Sequence, residues 1–132
     1  MKITFIAHSA FLVEWDKFYT LFDYVYEPDY TGTLPPLDPQ KPLLVFSSHS
    51  HEDHFDGKVF GLLEQYPLTQ FFVSRDTRLT ERRRKWLGIS DEAFARTTVL
   101  RPDSILLTEA AGEELSVRAI KSTDIGNAYL LR

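Results

Sequence analysis

The chain has 132 residues, of which 43% are hydrophobic, enough to bury the core of a single domain. Fifteen basic against nineteen acidic residues give a formal net charge of −4, so bulk charge does not argue for nucleic acid as a partner, and we do not expect one. The absence of cysteine excludes disulfides and thiolate metal sites and fits a reducing compartment. Met1 to Ile6 lack the apolar segment of a signal peptide, and no apolar run approaches transmembrane length. We therefore expect a cytoplasmic protein without a membrane partner.

The N-terminal segments are rich in Ile, Phe and Val. Residues 2–7, 10–14 and 18–22 are predicted to be strands of an antiparallel meander that ends at Asp23. The proline-rich stretch from Tyr24 to Pro42 is predicted to be a long loop. Its tyrosines either line a pocket or pack beneath a solvated connector.

A continuous apolar run, residues 43–47, predicts a fully buried strand. A cluster of histidines follows it directly and would therefore lie at the carboxyl end of a strand, where ligands gather in α/β sheets. Asp56 is predicted to cap a helix over residues 57–65.

The remaining pattern alternates helices with strands and then returns to strands. It predicts a strand at 71–73, helices at 76–87 and 90–95, a hairpin turn at 111–113, and strands at 97–100, 104–108, 115–121 and 128–131. We expect a layered α/β sandwich occupying residues 1–132 as one domain.

Residues 81–86 form the densest run of charge, Glu-Arg-Arg-Arg-Lys-Trp. On a helix, its consecutive basic residues spread around the axis, which favours a solvated face over a nucleic-acid-binding surface. Trp86 and Leu87 are predicted to pack into the core.

Three of the four histidines fall in the run from Ser48 to Asp56. His49, His51, Asp53 and His54 place four metal-donor side chains in one short segment, and imidazole and carboxylate suit zinc, iron or manganese. In an extended loop His49 and His51 would point the same way, while Asp53 and His54 would complete the shell or reach a second ion. A bound metal lowers the pKa of its water to about 7, which favours hydrolysis. The alternatives are a closed structural metal site or an exposed loop without metal.

The arrangement of strand, His-x-His-x-Asp-His and helix resembles the signature of the metallo-β-lactamase fold superfamily. The segment from Ala7 to Glu14 also resembles the opening phrase of its lactonase-like, metal-dependent hydrolase branch. The resemblance continues through Leu21-Phe22-Asp23 and the segment from Ser122 to Tyr129, and so spans essentially the whole chain.

This resemblance implies an αβ/βα sandwich with mixed, mostly antiparallel sheets and flanking helices, of which the chain would form the N-terminal half. It implies a site for one or two ions, usually zinc, with manganese or iron as alternatives. His49 and His51 would bind one metal, and Asp53 and His54 the second. Asp53 would also orient the attacking hydroxide and so act in catalysis. Asp23 and His8 would support the site.

The chain departs from the superfamily pattern after His54, because it contains no later histidine. Asp124 stands near the position of the first later ligand and is a candidate metal ligand or a turn residue, while Ser122 is a weaker donor. The second half of the superfamily domain is also missing, so the domain is predicted to be truncated.

The leading hypothesis is a hydrolase in which a metal-bound hydroxide attacks a phosphoester, lactone or related bond of a small molecule. The first alternative is a catalytically incomplete half-domain that acts through assembly, as a homo-oligomer or with the missing C-terminal half. The second is a nucleic-acid-processing member of the same fold.

Overall fold

The computed structural model describes residues 1–122 and 125–132. Its strands lie close to the segments predicted from apolar patterning. The strands are β1 (Lys2–Ala7), β2 (Ala10–Glu14), β3 (Tyr19–Phe22), β4 (Leu43–Ser47), β5 (Thr69–Ser74), β6 (Thr97–Leu100), β7 (Ile105–Ala110), β8 (Glu113–Lys121) and β9 (Asn127–Leu131). The α-helices are α1 (Leu62–Gln65), α2 (Glu81–Trp86) and α3 (Asp91–Ala95), with 3₁₀ turns at Gly57–Gly61 and Arg75–Thr77.

In the described part of the chain, β1 to β6 form a six-stranded sheet in sequence order. The predicted meander is present, since β2 is antiparallel to both β1 and β3. The pairings from β3 through β6 are parallel. Strands β1, β3, β4 and β5 therefore run in one direction, and their carboxyl ends meet at the same edge of the sheet.

Across the same described ranges, β7, β8 and β9 form a second, antiparallel sheet of three strands. It packs on one face of the first sheet through an apolar cluster that includes Phe46, Phe72, Val117 and Ala119. The opposite face of the first sheet is covered by the helices, with Val45 and Phe71 packed among helical side chains. The result is a mixed α/β arrangement of a helical layer and two sheets, and it confirms the predicted layered sandwich.

Alternation along β4 explains how one strand serves two cores. Leu43 and Val45 belong to the helical side, whereas Leu44 and Phe46 belong to the side of the second sheet. Every residue of this strand is buried, as the continuous apolar run predicts.

The helix predicted over residues 76–87 is wrong in its first part. A 3₁₀ turn at Arg75–Thr77 ends at Arg78, whose φ of 53° is left-handed, and α2 then begins after Thr80. The Thr80 side chain accepts a hydrogen bond from the Arg83 backbone N–H, so Thr80 is a helix N-cap that divides the segment. Asp56 caps the Gly57–Gly61 turn through the Lys58 backbone N–H, as predicted.

The prediction for Trp86 is also wrong, because its side chain is 81% exposed. It ends a helix of only six residues, and the neighbouring Leu87 packs against the core instead. The outer face of the second sheet is apolar in part, with Ile105 and Leu107 each 64% exposed. Among the described residues, no helix is long and apolar enough to cross a membrane.

Candidate metal centre

The candidate site lies at the edge where the carboxyl ends of β1, β3 and β4 meet. His8 follows β1, Asp23 follows β3, and the segment from His49 to His54 follows β4. Because the three strands run in the same direction, residues far apart in sequence are brought to one edge. The order of the strands in the sheet, and not the spacing of these residues in the sequence, brings them together.

Asp23 is hydrogen-bonded to the start of the histidine segment. Its Oδ1 accepts from the Ser48 backbone N–H at 2.7 Å, and its Oδ2 accepts from Ser48 Oγ at 2.8 Å. The same Oδ2 lies 2.8 Å from His54 Nδ1. Asp23 therefore supports both ends of the segment.

These contacts define the tautomers of two histidines. His54 Nδ1 faces a carboxylate oxygen, which can only accept, so Nδ1 carries the proton and donates. The single hydroxyl proton of Ser48 is given to Asp23, so Ser48 Oγ accepts from His49 Nδ1 at 2.8 Å. In the neutral imidazoles, Nε2 of each ring then keeps its lone pair, as a metal ligand requires.

Asp53 lies between the other candidate donors. A turn in which the His54 and Phe55 N–H groups donate to the His51 carbonyl brings Asp53 back over the site. Asp53 Oδ2 is 2.9 Å from His8 Nε2 and 3.3 Å from His54 Nε2. One carboxylate oxygen thus faces two imidazole nitrogens.

Two overlapping groups of donors result. Within the described ranges, the ligand atoms of His49, His51 and Asp53 all lie within 4.8 Å of one another, and the same holds for His8, Asp53 and His54. Asp53 belongs to both groups. The structure therefore brings His8 into the same set of side chains as the four residues of the His-x-His-x-Asp-His segment.

Local electrostatics favour the protonation states that a metal needs. Burial, together with the charge of His54, lowers the pKa of His49 and favours its neutral ring. Burial alone would raise the pKa of Asp53, but the hydrogen bond from His8 and the charge of His54 outweigh it and lower that pKa. Asp53 is therefore a carboxylate at neutral pH.

Two residues of the site have unusual backbone conformations. His8 has a φ of 53° and Asp23 a φ of 48°, in the left-handed region that non-glycine residues seldom occupy. Each residue ends a strand, and the left-handed conformation turns its side chain toward the histidine segment. Such outliers cost about 1–3 kcal/mol each and cluster at functional sites.

Three further residues lie beside the site. The Tyr30 ring lies 4.8 Å from the His8 ring, Asp76 accepts from the Ser50 backbone N–H at 2.8 Å, and Tyr129 Oη donates to the Ser47 carbonyl at 2.8 Å. Tyr30 is one of the loop tyrosines that the sequence offered as pocket-lining candidates, whereas Tyr24 of the same loop packs into the core. Sequence reasoning missed the other two: Asp76 follows β5 at the same sheet edge, which was a usable signal, and the contact of Tyr129 had none.

The start of β9 closes over the segment from the other side. The Asn127 backbone N–H donates to the Ser48 carbonyl at 2.7 Å. Gly126, with φ of +82°, lies so close that a Cβ would collide with that carbonyl and stand 2.6 Å from His49 Cβ. The candidate ligand Asp124 lies outside the described residues.

Comparison with known proteins gave no match to a family model and none to a curated protein. The solved structures with a similar fold include the following two. A protein from Parabacteroides distasonis named "Putative metal-dependent hydrolase" aligns with 98% of this chain and 55% of its own, at 20% identity and a TM-score of 0.56. A protein of unknown function from Enterococcus faecalis aligns with 96% of this chain and 38% of its own, at 16% identity and a TM-score of 0.55. The chain thus spans about half the length or less of each neighbour, and the likeness is one of fold.

Proposed function

We propose that this protein is a metal-dependent hydrolase with a metallo-β-lactamase-like fold, acting in the cytoplasm on a small molecule through one or two bound ions, most simply zinc. The proposal is supported by the donor set at the sheet edge and by the name of the P. distasonis structure with a similar fold. The site is built on strand ends, which hold ligands more rigidly than an isolated loop does.

The observation that carries the proposal is the pair formed by His54 Nε2 and Asp53 Oδ2, 3.3 Å apart. With Nδ1 of His54 committed to Asp23, both facing atoms are lone-pair acceptors when the ring is neutral. Two such acceptors repel unless a proton or a metal cation lies between them. A divalent ion satisfies both.

The residues present fit a dinuclear centre. His49 and His51 would hold one ion and His54 the second, and the Asp53 carboxylate would be shared, while His8 would donate a hydrogen bond to Asp53. Nitrogen and oxygen donors without thiolate suit zinc, manganese or iron. Asp23 would orient His54 directly and His49 through Ser48, as carboxylates commonly do behind metal-ligating histidines.

A divalent ion bound here supplies Lewis acidity and a coordinated water of lowered pKa. The protein's own contribution would be to orient reactants and move protons. Asp53, ionised and fixed by His8, would accept a hydrogen bond from the attacking water and direct it toward a phosphoester, lactone or related carbonyl. Neutral His49 presents a lone pair and does not repel a cation.

Metal titration of chelator-treated protein, with metal content measured by mass spectrometry, tests the proposal. We expect one or two tightly held zinc equivalents, one equivalent fewer for His49→Ala, and the largest loss for Asp53→Asn, the shared ligand. Glu52→Gln is the matched control because Glu52 is exposed in the same turn and belongs to neither donor group. A wild-type protein that retains no metal, and hydrolyses neither a generic phosphodiester nor a lactone, refutes the proposal.

A second candidate function is a half-domain that acts through assembly. It is favoured by the exposed Ile105 and Leu107 on the outer face of the second sheet. Sedimentation equilibrium distinguishes it from the first: assembly with no retained metal favours the half-domain, whereas a metal-loaded, active monomer contradicts it.

A further inference from the structure

A cavity of about 730 Å³ opens beside the histidine segment. Its wall includes Ser50, which lies between His49 and His51, and Gly126, which packs against His49. This volume falls in the range of small-molecule sites. A ligand in the cavity would therefore lie next to the donor set and could extend into it.

Three arginines line this cavity: Arg75, Arg78 and Arg83. Arg75 belongs to the 3₁₀ turn, Arg78 directly follows that turn, and Arg83 comes from the separate helix α2. Two short elements thus contribute guanidinium groups to one cavity.

The charge of this cavity is largely uncompensated. Within residues 1–122 and 125–132, none of these three guanidinium groups forms an ion pair with a described carboxylate. Arg84 of the same helix, in contrast, is paired with Glu81 and Asp91. Asp76 also lines the cavity, where its carboxylate accepts from the Ser50 backbone N–H and from Ser74 Oγ. Among the described lining residues, three guanidinium groups thus share the cavity with one carboxylate, which leaves an excess of positive charge.

We infer that this cavity binds an oxyanion of the substrate, a phosphate or carboxylate group, while the bond to be hydrolysed lies at the metal centre. Guanidinium groups bind both oxyanions through paired, charge-assisted hydrogen bonds. The inference rests on the proposed function and narrows its substrate class to anionic small molecules. It assigns Arg75, Arg78 and Arg83 to substrate binding and leaves Arg84 in a structural role.

Calorimetric titration with inorganic phosphate, and separately with acetate, tests the inference in metal-loaded and in chelator-treated protein. We expect Arg78→Gln and Arg83→Gln each to weaken oxyanion binding about tenfold, the value of one charge-assisted hydrogen bond. Arg82→Gln is the matched control, since Arg82 adjoins Arg83 but does not line the cavity, and it should stay within about twofold of wild type. If only phosphate binds, the oxyanion of the substrate is a phosphate group; if only acetate binds, it is a carboxylate group.

Metal content and thermal melting of each variant keep the two proposals separate. If the wild-type protein holds no metal but binds phosphate, and the cavity variants do not bind phosphate, the hydrolase proposal fails and the anion site stands. If Arg78→Gln and Arg83→Gln are folded but bind phosphate as Arg82→Gln does, the anion site fails. Tight binding of single-stranded RNA that Arg82→Gln weakens as much as Arg83→Gln also overturns it, in favour of a nucleic-acid surface.

Discussion

The Asp23 carboxylate lies 2.8 Å from His54 Nδ1, although 31 residues separate the two in sequence. Parallel pairing of β3 with β4 accounts for this contact, because the strand before Asp23 and the strand before the histidines end side by side. Through Ser48, the same carboxylate also controls the ring of His49. One acidic side chain thus orients two candidate metal ligands.

Replacing Asp23 with Asn should therefore weaken metal binding without removing a ligand. The amide no longer attracts the Nδ1 proton as a carboxylate does, so His54 loses its fixed tautomer, and we expect zinc affinity to fall about 10–100-fold. Competition with a chromophoric chelator measures this. Asp16→Asn, in an exposed turn, is the control and should bind zinc as wild type does. Equal affinities for the two variants would refute the role assigned to Asp23.

A second prediction concerns Gly126, because it combines a positive φ with a close contact to Ser48 and His49 at the start of the histidine segment. Gly126→Ala should destabilise the fold and also weaken zinc binding, since the new Cβ would collide with the Ser48 carbonyl and His49. Gly112→Ala separates the two effects: Gly112 has a φ of +78°, but a Cβ added there would meet nothing within 4 Å. We expect Gly126→Ala to cost at least about 1 kcal/mol more in urea unfolding. Equal costs would show that only backbone strain matters.

The sequence was sufficient to predict most of the strands and the core of the site, for physical reasons. Each strand is a short apolar run bounded by turn residues, and the four donors of the histidine segment are neighbours in sequence. Local patterning carries such information. The divided helix was missed because apolar spacing continues across Arg78 and Thr80, where a left-handed residue and an N-cap interrupt it.

Long-range partners of the site could not be predicted in the same way. Tyr129 reaches the Ser47 carbonyl across 82 residues, and Asp76 reaches Ser50 across 26. Those contacts depend on strand order, on register and on how the second sheet packs over the first. Neither the single sequence nor its periodicity specifies these quantities.

Asp76 should make stability depend on pH. Burial alone would raise its pKa, but hydrogen bonds from Ser74 and Ser50 outweigh this and hold it below the ordinary value of 3.8. Because the folded pKa is the lower one, its stabilisation is complete above about pH 4 and is lost as pH falls through the folded value. Wild type should exceed Asp76→Asn in the free energy of unfolding at pH 7, by about 1 kcal/mol.

The gap between wild type and Asp76→Asn should narrow as the pH is lowered from about 4 toward about 2. Urea unfolding of chelator-treated protein at several pH values measures this difference in the free energy of unfolding. The pH dependence that Asp53 contributes is the same in both proteins and therefore cancels in the difference. A gap that is constant over this range would mean that the Asp76 charge does not contribute.

Tyr129 allows the stability of the loop to be separated from metal binding. Its ring packs 5.1 Å from that of Phe46, and its hydroxyl donates to the Ser47 carbonyl, just before the histidine segment. Tyr129→Phe keeps the ring but leaves that carbonyl without this donor, so we expect a loss of about 1–2 kcal/mol in the free energy of unfolding. Tyr30→Phe, which keeps the ring beside His8, should change it by less than about 0.5 kcal/mol. Because neither tyrosine nor Ser47 belongs to the candidate metal ligands, zinc stoichiometry should be unchanged in both variants. Loss of a zinc equivalent in Tyr129→Phe would instead mean that this hydroxyl sets the position of the ligands themselves.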